Sequence, residues 1–403
     1  MTPTTPRSPD RREHPTAAGG TGETRFPALD GVRGLAVLMV VAVHTFLLRD
    51  ADGVVEWLTS AARWGWLGVD LFFVLSGFLI TGIVLRQPRT PRGLMHFYLR
   101  RIARTWPLYY LCLLLAVTVL PYSSYYASTA LRDLEHNQLW FWLHASNWLM
   151  GLRAAWSAEF VSHFWSLAIE EQFYLVWPLL VWAGWRWCAV WPAAVCAAAV
   201  LLGVVTRQFL WWNDAPMLPM LVLTPCKADL LGWGGLAAWW LWRDPSLAGR
   251  RRRLGVLMTL CVTAFGGAVA GFYIVTGRWA VEQSFHAWVL PWFGPTAACG
   301  ILLCLRPSRP LQTVMGRGPL PWFGRYSYGL YVLHLFIRPV VDHYAGPSAW
   351  GVWLGPNAGT LGYAVTVLAA STLLAVASYH MMESRILRAV RRRTIGSAAA
   401  GPG

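Results

Sequence analysis

Charge is what this chain has least of: Asp, Glu, Lys and Arg make up 13% of its 403 residues, and one alone is lysine. Set against 56% hydrophobic residues, that scarcity excludes a water-soluble globule, whose surface calls for roughly twice as much charge. The seven cysteines (Cys112, Cys188, Cys196, Cys226, Cys261, Cys299, Cys304) show no paired spacing of a zinc site or redox motif, so no metal and no disulfide framework is expected. Residues 1–24 lack an apolar h-region and read as a disordered tail, not a cleaved signal. No internal repeat is found, which counts against the two related halves of many transporters.

What is present is apolar length. Crossing a bilayer takes roughly 17–25 residues, and such runs are expected at 29–48, 64–85, 106–120, 160–187, 191–212, 217–242, 254–275, 285–305, 326–341 and 358–382. The stretch Leu139–Met150 is short and reads as interfacial or re-entrant. The expectation is an all-α polytopic membrane protein, one bundle of about ten transmembrane helices over residues 25–390, with a second tail at 391–403. Trp64, Trp66, Trp211, Trp212, Trp239, Trp240 and Trp242 sit near span ends, as interfacial anchors do.

A net charge of +15 invites a nucleic-acid reading, but the arginines follow topology instead. With residue 1 in the cytoplasm, alternation puts 25 arginines inside and 7 outside, leaving Arg33 within the first helix. That is the positive-inside bias. Both termini are therefore expected in the cytoplasm at the plasma membrane, the partner is the lipid bilayer, and no nucleic acid is required.

Ionisable side chains inside spans are costly and each needs a reason. Asp30, Arg33 and His44 share one face of the first helix, Arg33 and His44 lying about 16 Å apart at 1.5 Å per residue. Asp30 and Arg33 could be a plain i,i+3 pair, and His44 an interfacial residue; imidazole is equally suited to take a proton near neutral pH. Asp70 opens the second span and needs a cationic or donor partner. Ser166, Glu170 and Tyr174, at i, i+4 and i+8, line one face of the fourth. Lys227 and Asp229 lie in the sixth, and Tyr331 and His334 are i,i+3 neighbours in the ninth. Arg101 and Arg104 share a face beside the third, where anchoring and phosphate binding call for the same guanidiniums.

In this order, these segments resemble the acyltransferase type-3 family of integral membrane O-acyltransferases, from about residue 26 to about residue 390. The resemblance rests on Leu29-Asp30-Gly31-Val32-Arg33-Gly34-Leu35-Ala36 leading to His44, the stretch from Gly68 to Thr81 with Asp70, and Phe97-Tyr98-Leu99-Arg100-Arg101-Ile102-Ala103-Arg104. It continues through His163 to Pro178 and ends with Arg325-Tyr326-Ser327-Tyr328-Gly329-Leu330-Tyr331 to His334. It implies transfer of an acyl group, commonly acetyl, from cytoplasmic acyl-CoA (acetyl-CoA as co-substrate) to a hydroxyl of a glycan, glycolipid or glycosylated metabolite such as a macrolide. On the family pattern Arg33, Arg101 and Arg104 are carried over to the donor. His44 is read as general base, with Glu170 or Asp70 orienting it, and direct transfer is expected because no serine or cysteine nucleophile stands beside it.

Two departures qualify the carry-over. The family's sixth-span Arg-x-Asp is here Lys227-x-Asp229, which keeps charge without bidentate geometry, and Glu383 lacks the proline that commonly follows. No soluble hydrolase-like extension follows within these 403 residues, so transfer is expected to be completed by the membrane unit or a separate partner. The 33-to-1 excess of Arg over Lys hints at a GC-rich genome and a glycosylated antibiotic as acceptor. The competing classes are a multi-pass transporter of a glycan or lipid intermediate, and a scaffold, which has no reason to keep His44, Glu170, Asp70 and Lys227 within spans.

Overall fold

A backbone crossing hydrocarbon must satisfy its own N–H and C=O groups, and a helix does so within one segment. The computed structural model describes residues 27–46, 53–87, 90–185, 188–245, 251–277, 282–305 and 309–399, and every regular element among them is helical. The expected 1–24 tail lies outside the described residues.

The chain opens with α1 (Pro27–Phe46) and α2 (Gly53–Ala62), then α3 (Leu67–Arg86) and α4 (Pro91–Thr118). Thr90 caps α4 by accepting from the Gly93 amide, and Pro91 occupies the first turn, where a missing N–H costs nothing. The interfacial stretch around 139–150 folds as two short helices, α5 (Ser128–Trp142) and α6 (Ser146–Arg153), with His144 at φ 51° in the turn between them. Next come α7 (Phe164–Trp185) and α8 (Trp191–Trp212).

The sixth expected span breaks at Leu223 into α9 (Met217–Val222) and α10 (Thr224–Arg243), with Pro225 in the first turn of α10. After α11 (Arg251–Thr276), the eighth breaks likewise into α12 (Gln283–Trp288) and α13 (Phe293–Cys304) around a 3₁₀ turn at Leu290–Trp292 that contains Pro291. Proline has no amide proton, so the ladder is interrupted at both places. The remainder is α14 (Arg309–Gly316), α15 (Pro319–Ala345), α16 (Pro347–Leu354), α17 (Pro356–Ser378) and α18 (Ser384–Ala399), the last two joined by a π turn at Tyr379–Glu383. Helix α18 runs through Arg391–Arg393, where the sequence suggested a tail.

By length and composition, seven of the described helices are apolar enough to cross a membrane. The three other expected spans, now α7, α10 and α15, fall outside that set. They carry Glu170 and Glu171, Lys227 and Asp229, and Arg325, Arg338 and Asp342, together with many Trp and Tyr that lower the average hydropathy.

Cross-helix contacts give each helix a direction. Asp30 faces Gly324 and His44 meets His334, so α1 and α15 run parallel. Ser76 meets Glu170 and Thr81 meets Trp177, making α3 parallel to α7; Asp70 with Lys227 and Val74 with Gly234 make it parallel to α10 as well. Helix α4 runs against α7, with Tyr98 reaching Leu175 and Trp106 reaching Glu171. Glycine permits the closest crossings: a Cβ on Gly324 would lie 1.7 Å from the Asp30 carbonyl oxygen, and one on Gly234 1.9 Å from that of Val74. Small residues let membrane helices approach to backbone contact in this way.

Candidate active site

Helices α1, α3, α4, α7 and α15 line an open-mouthed cavity. Its polar wall is Arg33 of α1, Ser76 of α3, Arg101, Arg104 and Thr105 of α4, Ser166, Glu170 and Tyr174 of α7, and Ser327, Tyr328 and Tyr331 of α15. Val69, Phe72, Phe73 and Leu167 form its apolar side. Arg33 stands 3.7 Å from Asp30, an ion pair at the helix entrance. The Arg101 guanidinium lies 5.5 Å from the centre of the Tyr174 ring, within cation–π range. Three guanidiniums thus converge from two helices.

Glu170 is the carboxylate in this cavity. It accepts hydrogen bonds of 2.9 Å from the Ser76 hydroxyl and 2.9 Å from that of Tyr174. Its i+4 spacing to Tyr174 brings the phenol back onto the carboxylate, and Ser76 of α3 supplies the second donor. Glu171 points out of the set to the Trp106 indole, which donates at 3.0 Å.

At the inner end of the cavity the Ser166 and Tyr331 hydroxyls lie within hydrogen-bond reach of each other and of the His163 carbonyl, their two protons shared among the three contacts. One turn farther along α15 lies a cluster of three imidazoles: His334 is 5.0 Å, ring centre to ring centre, from both His44 and His163. His163, quoted in the matched segment without a role, has its Nε2 3.1 Å from the Val332 carbonyl.

Two expectations about orientation are corrected here. Among the described residues neither Asp70 nor Glu170 bonds to His44; its side-chain partner is His334, Nδ1 to Nε2, at 3.3 Å. Glu170 is held by Ser76 and Tyr174, and Asp70 accepts from the Lys227 ammonium at 2.7 Å, both side chains being fully buried. A carboxylate in an apolar span takes the nearest cation or donor, and for each acid that is not the imidazole.

Lys227 and Asp229 do not pair with one another. Arg207, one of the seven arginines that alternation puts outside, is wholly buried and binds Asp229 bidentately at 2.8 and 2.6 Å. Its position inside the 191–212 run was the available signal. The bidentate geometry lost by lysine at 227 is thus supplied to Asp229 from α8.

The family model described as an acyltransferase domain matches residues 26–379. The chain belongs to this family. Among its relatives, the "Peptidoglycan O-acetyltransferase OatA" of Listeria monocytogenes is 28% identical over 384 residues, covering 89% of this chain and 55% of that protein. The "Putative peptidoglycan O-acetyltransferase YrhL" of Bacillus subtilis is 27% identical over 385 residues, covering 90% and 55%. The "O-acetyltransferase OatA" of Staphylococcus aureus is 32% identical over 165 residues, 39% of this chain and 24% of that one. The chain therefore spans about half the length of the first two. No solved structure matches it.

Proposed function

We propose that this family member is a multi-pass membrane O-acyltransferase that moves an acyl group, acetyl first among candidates, from acyl-CoA to a hydroxyl of a glycan. The observation that carries the reading is the convergence of Arg33, Arg101 and Arg104 on one cavity whose inner end adjoins the His44–His334–His163 cluster. Guanidiniums match the phosphates of a CoA-type donor bidentately, and the apolar wall of Val69, Phe72 and Phe73 suits the thinner arm of such a molecule. The positive-inside bias puts this mouth on the cytoplasmic side, where acyl-CoA is made. His44, about 16 Å along α1 from Arg33, then lies toward the opposite face.

In the transfer step the acceptor oxygen attacks the thioester carbonyl as its proton passes to His44 Nε2, and the CoA thiolate leaves. A hydroxyl is a poor nucleophile until that proton is taken, which gives a base near neutral pH its value. Glycan acceptors come first because the relatives carry peptidoglycan in their names; a glycosylated secondary metabolite such as a macrolide comes second, on the arginine bias.

The test uses protein reconstituted in nanodiscs with ¹³C-acetyl-CoA and either peptidoglycan fragments or a glycosylated macrolide. The expected product is acceptor carrying one labelled acetyl group, formed about 10²- to 10⁴-fold more slowly by His44→Ala with donor binding retained. A His44→Ala protein that transfers at the normal rate removes the base assignment; wild-type protein that binds no acyl-CoA removes the donor.

A further inference from the structure

We propose that His334 is the positioning residue of the transfer reaction, holding the His44 ring through a neutral imidazole where a carboxylate was expected. This rests on the reading of His44 as base, and it adds a residue and a tautomer to it.

The proton positions follow from the acceptors. His334 Nδ1 lies 2.6 Å from the Tyr331 carbonyl oxygen, which can only accept, so Nδ1 carries the proton and Nε2 the lone pair. That lone pair faces His44 Nδ1 at 3.3 Å. His44 Nδ1 also lies 2.9 Å from the Val40 carbonyl oxygen, a second pure acceptor. Its proton is shared between Val40 and His334, and the lone pair of His44 is left on Nε2, the atom that would receive the acceptor's proton.

Val40 alone selects this tautomer but holds the ring from its own helix only. His334 reaches it from α15 and is itself fixed at both ends, being 1% exposed and packed by His163 and Tyr331. When His44 becomes an imidazolium, its Nδ1–H points at the His334 lone pair, so the same contact stabilises the charge that forms during the reaction. A buried carboxylate would do this more strongly but would itself need a cation in the bundle. Asp70, already neutralised by Lys227, is not released for that task.

The test compares His334→Gln, whose side-chain carbonyl can accept near the position of Nε2, with His334→Leu, which cannot accept. Full-length protein in nanodiscs is assayed with acetyl-CoA and the glycan acceptor, alongside the acetyl-CoA dissociation constant. His334→Leu should lose about 10- to 100-fold in kcat, part of the roughly 10²–10⁴ that a general base supplies, with donor affinity within about twofold of wild type. His334→Gln should recover most of the loss. His44→Ala/His334→Leu should be no slower than His44→Ala, since groups acting as one unit are not additive.

A leucine variant with kcat within about twofold of wild type overturns the proposal. So does a glutamine variant no better than leucine, or a further loss in the double variant. If His334→Leu does not insert, as reported by failure to bind acetyl-CoA, His334→Phe takes its place in the comparison. A His44→Ala enzyme working at the normal rate sinks the base assignment itself; an impaired one beside an unimpaired His334→Leu sinks this inference alone.

Discussion

At the scale of single residues, the cavity separates two tasks that the motifs present side by side. Arg33 and His44 belong to one sequence pattern, yet Arg33 faces the cavity with Arg101 and Arg104 while His44 meets His334. Replacing Arg101 and Arg104 together by Ala should raise the dissociation constant of acetyl-CoA by about 10-fold or more, since hydrogen bonds to charged groups contribute about 1.5–3 kcal/mol each. Calorimetric titration of the reconstituted protein measures this. Unchanged affinity would leave the two arginines as interfacial anchors only. Both spacings were legible in the sequence; the Ser76–Glu170 bond was not, because 94 residues separate its partners.

At the scale of helices, α3, α8 and α10 are joined by two buried ion pairs, Asp70–Lys227 and Arg207–Asp229, with no exposed side chain among the four. Removing one partner of a buried pair leaves an uncompensated charge and typically costs about 3–5 kcal/mol. Lys227→Met should therefore lower the melting temperature in detergent clearly, and Asp70→Asn/Lys227→Met should regain most of it. A single variant melting with wild type would mean that water or a neighbour already screens Asp70. Periodicity within α10 could show that Lys227 and Asp229 lie in a span, but their partners come from other helices. Lys227 and Asp229, two residues apart on α10, therefore enter two separate pairs.

At the scale of the whole molecule, α1, α4 and α15 fall on the first, third and ninth of the expected spans and α3, α7 and α10 on the second, fourth and sixth, and the two sets run in opposite directions, as successive membrane crossings require. The absolute direction proposed from the arginine bias puts both termini in the cytoplasm. Reporter fusions at residues 89 and 250 and after Ala399 should register cytoplasm, and fusions at residues 50 and 124 the opposite face. A reversed signal at any of these five positions would break the proposed orientation. It would also detach the cavity mouth from the compartment that supplies acyl-CoA.

The sequence by itself determined the all-α membrane class, the approximate position of each long helix and the family, because apolar length, arginine placement and short motifs are local properties. It also brought Arg33, Arg101 and Arg104 forward as a set. Which acid, if either, stands beside His44 was decided only by the tertiary structure: hydrogen-bond partners in a bundle are chosen by the faces that adjoining helices present, and helical period carries no record of a neighbour. The same reason explains how Arg207 went unnoticed on its own helix and how an imidazole from α15 comes to sit where a carboxylate was expected.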